Sequence, residues 1–339
     1  MVELLGLGVE LFALFVAFGF MVGVFFGFFG MGGSFLVTPA LLLLGYPAPV
    51  AIGSSMAFVF GTALIATLKH HDTGQVDYRL GALMFVGIVL GIEIGSRLVF
   101  GLEVLGIATL VVGVAYVVLL AVIGVLFTKS ALEDTEMGEN DDTTENDEVP
   151  ELARRIQSYE LPPMVRLTDG SRVSLWTVSG VGGGVGLVSG FLGVGGGFVR
   201  MPAIYYLIGT PLAVAVGTRL FGGLMSGAVG AFTYGRAGVI DLGIVTALLV
   251  GSALGARIGS SATAYVDEDD VTIYFGIMLL VASAAVGLGE LATLFAIPLF
   301  DRLSFVLLVG SALLVCVMIL YHGALAIAHR GEDAATQVD

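Results

Sequence analysis

Apolar residues run along this chain in long blocks rather than in alternation. The first set lies at about 2–29, 35–45, 50–68, 80–100 and 104–127. After a polar interval the blocks resume at about 174–192, 197–209, 213–234, 242–264, 271–289 and 303–328. Crossing the hydrocarbon core of a bilayer takes about 20 helical residues, so most blocks predict a membrane-crossing helix. Blocks 35–45 and 197–209 are too short, and each directly follows a glycine cluster. Each therefore reads as the second half of a helix broken inside the membrane. The predicted fold is an all-α polytopic membrane protein with two homologous repeats of about four transmembrane helices. Each repeat opens with a glycine-broken helix, and an extra helix follows at the C-terminus. The divisions are 1–129 for the first repeat, 130–173 for an acidic linker, 174–290 for the second repeat, and 291–339 for the last helix and tail.

The two sets of blocks match one another in detail. Gly27-Phe28-Phe29-Gly30-Met31-Gly32-Gly33-Ser34-Phe35, with Pro39 following, corresponds to Gly190-Phe191-Leu192-Gly193-Val194-Gly195-Gly196-Gly197-Phe198, with Pro202 following. Gly45-Tyr46-Pro47 then matches Gly209-Thr210-Pro211, and Ala51-Ile52-Gly53-Ser54 matches Ala215-Val216-Gly217-Thr218. Gly74-Gln75-Val76-Asp77 matches Gly238-Val239-Ile240-Asp241, and Gly87, Gly91 and Gly95 match Gly251, Gly255 and Gly259. The register shifts by one residue across the whole match.

Composition sharpens the class. Of 339 residues, 57% are hydrophobic and 12% charged, with a mean hydropathy of +1.00. Soluble domains carry about 25% charged residues, so too little polar surface remains to cover a water-soluble body of this size. The N-terminus lacks the basic region of a secretory signal and reads as the first membrane helix, retained in the mature chain. The single cysteine, Cys316, excludes an internal disulfide and a multi-cysteine metal site. Much of the net charge of −14 sits between Glu133 and Glu148, a run that stays solvated. Lys129, Arg154, Arg155, Arg166 and Arg172 flank or follow that run and place the linker in the cytoplasm. Counting crossings from there puts the loop from Lys69 to Arg79 inside, the Gly45-Tyr46-Pro47 loop outside, and Arg236 and Arg302 inside. That count favours two repeats of the same orientation. Re-entrant hairpins at the short segments would change both the count and the handedness.

The chemistry concentrates at the breaks. A helix interrupted by Gly30, Gly32 and Gly33 exposes free N–H groups where it restarts, around Ser34 to Val37, and the helix dipole there favours negative charge. Unwound backbone is tolerated at membrane depth only where it is buried in protein or lines a wet cavity. Two such breaks at matching positions point to a transporter's central site. Contiguous glycine adds no packing face, whereas Gly87/Gly91/Gly95 and Gly251/Gly255/Gly259, spaced by four, read as close-packing seams.

The candidate substrate site comprises Gly30, Gly32, Gly33, Ser34, Gly193, Gly195, Gly196 and Gly197. Arg200 and Arg219 add positive charge, and Thr38, Ser54, Ser55 and Thr218 offer hydroxyls. Glu93 and Arg257 occupy equivalent repeat positions, and Glu93 also stands four residues before Arg97. Glu93 with Arg257, or alternatively Glu93 with Arg97, is a candidate structural ion pair, and Glu93 a candidate for proton coupling. Loop polarity accounts for His70, His71 and Asp72, so no metal, cofactor or catalytic constellation is expected, and no enzyme activity. Trp176 reads as an interfacial anchor.

The paired Gly-x-x-Gly-x-Gly-Gly elements followed by Pro39 and Pro202 resemble the sulfite exporter TauE/SafE family. So do the Gly-Ser/Thr element after each proline loop, the Gly-x-Val/Ile-Asp loops and the Gly-x-x-x-Gly seams. The likeness covers nearly the whole chain except linker 130–173 and the last helix; the acidic linker and Arg219 depart from the pattern. It implies a cell-membrane permease that exports or takes up sulfite or organosulfonates. The expectation is a multi-pass secondary transporter for small anions, working by alternating access between the repeats. An anion channel of the same architecture and a non-transport membrane protein are the alternatives. The implied partners are a small anionic substrate and the lipid bilayer, without nucleic acid. The oligomeric state is open between monomer and homodimer.

Overall fold

The computed structural model describes residues 3–29, 34–70, 78–137, 163–166, 172–197, 199–200, 212–263 and 268–336. Ten helices are described: α1 (Val9–Phe29), α2 (Ser34–Leu43), α3 (Ala48–His70), α4 (Tyr78–Val104), α5 (Ala108–Met137), α6 (Leu175–Leu192), α7 (Leu212–Gly235), α8 (Leu242–Ala262), α9 (Glu268–Phe295) and α10 (Pro298–Thr336). Two short antiparallel ribbons accompany them, β1 (Glu3–Leu4) with β2 (Leu7–Gly8) and β3 (Met164–Arg166) with β4 (Arg172–Ser174). The first helix thus begins at Val9, not at residue 2. Among the described residues, eight helices are long and apolar enough to cross a membrane: α1, α3 to α6, and α8 to α10. Large apolar side chains stay exposed along them, Leu90, Leu254 and Leu314 among them, as a lipid-facing surface requires. The protein is a polytopic all-α membrane protein.

Two helix pairs set the architecture. Gly19, Gly23 and Gly27 of α1 face the backbone of Leu248, Ser252 and Ala256 of α8, while Gly251, Gly255 and Gly259 of α8 face the carbonyls of Val16, Phe20 and Val24. In the same way Gly87, Gly91 and Gly95 of α4 meet Ser179, Gly183 and Leu187 of α6, and Gly182, Gly186 and Gly190 of α6 meet Met84, Ile88 and Ile92. A Cβ at Gly190 would stand 2.6 Å from the Ile92 carbonyl oxygen. Residue numbers rise together along both seams, so both pairs are parallel. In lipid, where no hydrophobic force drives helices together, this close backbone contact is what small residues make possible.

The other pairings run the opposite way. Gly223, Gly227 and Gly230 of α7 meet Ala63, Phe60 and Met56 of α3 in turn, and Tyr234 meets Gly53. Gly124 of α5 meets Gly276 and Leu280 of α9, while Ser283 donates to the Val117 carbonyl. The pairs α3·α7 and α5·α9 are therefore antiparallel. Two repeats of the same orientation would run α3 and α7 alike; their opposite senses belong to an inverted arrangement of the halves. This corrects the parallel expectation.

The reason lies at the glycine clusters. With 21 residues, α1 crosses unaided, and α2 does not continue it. Phe35 at the head of α2 and Phe29 at the foot of α1 both pack on Phe275, whereas Tyr46, past the end of α2, packs beside Phe15. The chain has doubled back. Because α6 is parallel to α4 while α7 opposes α3, α6 and α7 run in the same direction. Arg236, just past α7, and Arg302, at the head of α10, therefore lie at the end of the bundle opposite the one where α5 ends and α6 begins, not beside it.

Gly91→Ala should drive a methyl into the Gly183 carbonyl and lower stability by about 1–3 kcal/mol, read as thermal unfolding in detergent. Gly101→Ala on the same helix, where a Cβ meets nothing within 4 Å, should leave the transition unchanged or raise it.

Candidate functional site

The helix break in the second half is a run of left-handed glycines. Helix α6 ends at Leu192, and Gly193, Gly195 and Gly196 follow with φ of 77°, 64° and 75°. The Gly193 N–H closes the helix on the Ser189 carbonyl at 2.7 Å, and helical bonding resumes when Arg200 N–H reaches the Gly196 carbonyl at 2.7 Å. Glycine is required twice over here. A side chain disfavours the left-handed region, and a Cβ at Gly193 would stand 2.8 Å from Thr38 Oγ1 and one at Gly195 2.5 Å from Val59.

Ending a helix inside a membrane leaves carbonyls with neither a helical partner nor water. Hydroxyls from other helices take them up. Tyr234 Oη on α7 donates to the Gly190 carbonyl at 2.6 Å and Tyr116 Oη on α5 to that of Leu192 at 2.5 Å. Ser55 Oγ on α3 donates to Gly193 at 3.1 Å, Ser34 Oγ on α2 to Val194 at 2.8 Å, and Ser226 Oγ on α7 to Gly195 at 2.6 Å. Ser34 opens α2, so the head of that helix and the second glycine cluster, 160 positions apart in the chain, come together. Gly30, Gly32 and Gly33 themselves lie outside the described residues.

Arg200 lies against this break with no exposed surface. Its Nη2 donates to Ser226 Oγ at 3.1 Å. The guanidinium lies flat on the backbone of Gly222, where a Cβ would stand 2.5 Å from Cζ, and Nη2 also abuts Gly196. Ser226 thus accepts from the cation and donates to the unwound carbonyl, tying the two together. The candidate residues Ser34, Thr38, Ser55, Gly193, Gly195, Gly196 and Arg200 are all buried around one point, with Gly197 half-buried beside them. Ser54 is buried too, but its Oγ accepts from the Asp241 N–H at 3.0 Å and serves the start of α8, where the Asp241 carboxylate caps Gly243 and Ile244. Thr218 and Arg219 lie in the first turns of α7, and their side chains fall outside the described residues. An open cleft of about 440 Å³ lies elsewhere, lined by Leu5, Val50 and residues from Gly238 to Gly243.

The ionic candidates resolve differently. Glu93 pairs with Arg97 on its own helix at 3.0 Å, as the spacing expects, and with Arg236 at 2.9 Å. Arg257, expected near Glu93, sits exposed on α8, whose seam is with α1. Arg236 takes that place because α7 and α4 end together. By the internal match, the positions of Glu93 and Arg236 in the other half are Arg257 and Asp72, with the signs exchanged; Asp72 lies outside the described residues. Among the described residues, no three of His, Cys, Asp and Glu stand together as a metal site would need.

Sequence reading passes over Tyr116, Tyr234, Ser226 and the role of Arg236. The tyrosines and Ser226 are ordinary residues within apolar helices, and only the fold shows what they face. Arg236 is visible as a charge, but its assignment to an end depends on the direction of α7.

The family model described as Sulfite exporter TauE/SafE matches residues 15–286. A probable membrane transporter protein of Xylella fastidiosa (strain 9a5c) is 27% identical over 244 residues, 71% of this chain and 81% of that protein. The probable membrane transporter protein YunE of Bacillus subtilis (strain 168) is 24% identical over 284 residues, 79% of this chain and 94% of that protein. No solved structure is significantly similar to the chain.

Ser226→Ala removes a hydroxyl from a buried carbonyl and a buried cation at once. It should lower thermal stability by about 1–3 kcal/mol, and Ser226→Thr, which keeps the hydroxyl, should recover most of that loss.

Proposed function

This chain belongs to the sulfite exporter TauE/SafE family, and we propose that it is a secondary transporter for small anions, sulfite or organosulfonates, working by alternating access between its halves. The membrane-transporter class follows from the family and the multi-pass helical fold. The finer reading rests on one observation: a guanidinium with no exposed surface, Arg200, set against a helix broken by three left-handed glycines. Ionisable groups inside a membrane are costly, and their usual roles are in substrate or ion pathways. A planar fork of N–H donors beside unwound backbone suits the oxygens of a sulfur oxyanion.

In this mechanism the anion takes its place beside Arg200 and the Gly195–Gly197 turn, with hydroxyls from α2, α3 and α7 bracketing the same point. Those hydroxyls hold the break's carbonyls, so the break keeps its shape while the anion comes and goes. Inverted halves meeting at the breaks support alternating access, because the two ends of the bundle are built from matching elements. The cell membrane is the proposed location, with the linker in the cytoplasm. Lys69, Arg79, Lys129, Arg154 and Arg155 lie in or flank the loops at the linker end, whereas Arg236 and Arg302 lie at the other, which agrees with the excess of basic residues in cytoplasmic loops.

Purified protein in vesicles should exchange labelled sulfite for internal sulfite, with uptake stimulated from the far side. Equal uptake with and without internal sulfite would instead indicate a channel. Arg200→Ala should weaken sulfite binding by about tenfold or more and Arg200→Lys less, both with the elution and melting profile of a folded protein. Unchanged affinity in both removes Arg200 from the site.

A further inference from the structure

Glu290 is a half-buried carboxylate in a membrane span that neither the glycine breaks nor the ion pairs use; Glu10, Glu103 and Asp301, also in spans, are exposed. It lies in α9, five residues before its end at Phe295, which is about 7.5 Å of helix rise inside the span. The side chain is half-buried and turned toward α5. It fills the notch left by Gly113: a Cβ there would stand 3.0 Å from Glu290 Cγ and would overlap the carboxyl group. On either side the packing is tight and apolar or neutral. Gly289 carries the Leu43 side chain from α2 and the Ser304 side chain from α10, and the buried Ser304 hydroxyl donates to the Asp301 carbonyl.

Apart from Glu93, the charged groups described on the surrounding elements are exposed. On α10, Asp301 and Arg302 are exposed, and His322 lies several turns further on. On α5, Lys129 is exposed near the opposite end, α2 has no titratable side chain, and Glu103 in the last turn of α4 is exposed. The other acidic residues of α9, Glu268 to Asp270, head the helix at its far end.

Glu93 presents the opposite case. Two guanidinium groups hold its carboxylate, at 3.0 and 2.9 Å. Glu290 has the Gly113 notch of α5 at its carboxyl group instead, and it is half-buried there.

We propose that Glu290 is the proton-binding site that couples anion movement to a proton gradient. The proposal rests on the transporter reading above. The proton comes from water at the end of the bundle where α9 closes and binds a carboxylate oxygen of Glu290. Protonation changes the charge carried in the α5·α9 interface, and in this proposal it thereby biases how these antiparallel helices pack. Release follows when the rearranged interface opens the carboxyl to water again. No other bond forms or breaks.

Vesicles containing the wild type, Glu290→Gln, Glu290→Asp or Glu93→Gln are loaded and assayed for sulfite flux with and without an imposed pH gradient. For the wild type the ratio of the two rates should be about tenfold or more. The ratio should fall to about one in Glu290→Gln, recover in part in Glu290→Asp, and survive in Glu93→Gln. A gradient response retained by Glu290→Gln, or lost by Glu93→Gln alone, overturns the proposal.

A second measurement stands apart from transport. Infrared difference spectra between acid and neutral pH should show a protonated-carboxyl band in the wild type that Glu290→Gln lacks, and identical bands overturn the proposal. If the wild type moves no sulfite under any condition, the transporter reading fails, while the infrared comparison still judges Glu290.

Discussion

Everything in this bundle depends on two places where helices touch backbone to backbone. Along α1·α8 and α4·α6, glycines on both partners leave no room for a methyl group. Lipid gives the helices no hydrophobic reason to associate, so the attraction has to come from dispersion at short range, and only the smallest residue permits that range. Each seam joins a helix of one half to a helix of the other. The halves are interlocked by these contacts, and the pairs α3·α7 and α5·α9 mix side-chain packing with single close glycine approaches, Gly227 on Phe60 and Gly276 on Thr128.

The seams also explain why a break can be tolerated at the centre. Both α1 and α6, the helices that precede the glycine clusters, are clamped along their length by a parallel neighbour. The chain can unwind after Leu192 without the helix losing its place. What unwinding exposes is a row of carbonyls, and hydroxyls from four other helices, α2, α3, α5 and α7, meet them. The glycines provide the shape and the hydroxyls keep it. Arg200 is joined to this arrangement through Ser226 rather than being a charge added to a finished scaffold.

Much of this is legible in the sequence, for physical reasons that differ by element. Long apolar blocks declare spans because a bilayer imposes a length. The four-residue glycine spacing of Gly87, Gly91 and Gly95 declares a packing face because it follows the helix period. The contiguous Gly195-Gly196-Gly197 is a weaker sign, because Gly182-Gly183-Gly184 is just as contiguous and stays inside α6, along its seam with α4. Only the match to the first cluster marks the later run as a break. Direction is not legible in the same way. Whether Ser34 to Leu43 continues α1 or returns beside it turns on a few residues whose hydropathy is the same in either case, so hydropathy alone sends Arg236 and Arg302 to the wrong end. Partnerships such as Arg200 with Ser226, or Glu93 with Arg236, join residues far apart in the chain and have no local signature. Arg97 is foreseeable as a partner of Glu93 because it lies one turn away.

The short α2 has a consequence out of proportion to its ten residues. It makes the number of passes in the first half odd. When a segment with an odd count is copied and joined to itself, the copy necessarily enters the membrane upside down, whereas an even count would leave both copies upright. Parity alone thus decides which symmetry a duplicated gene product can have. A ten-residue arm that folds back on its neighbour turns a translated pair into one related by a half-turn within the plane of the bilayer.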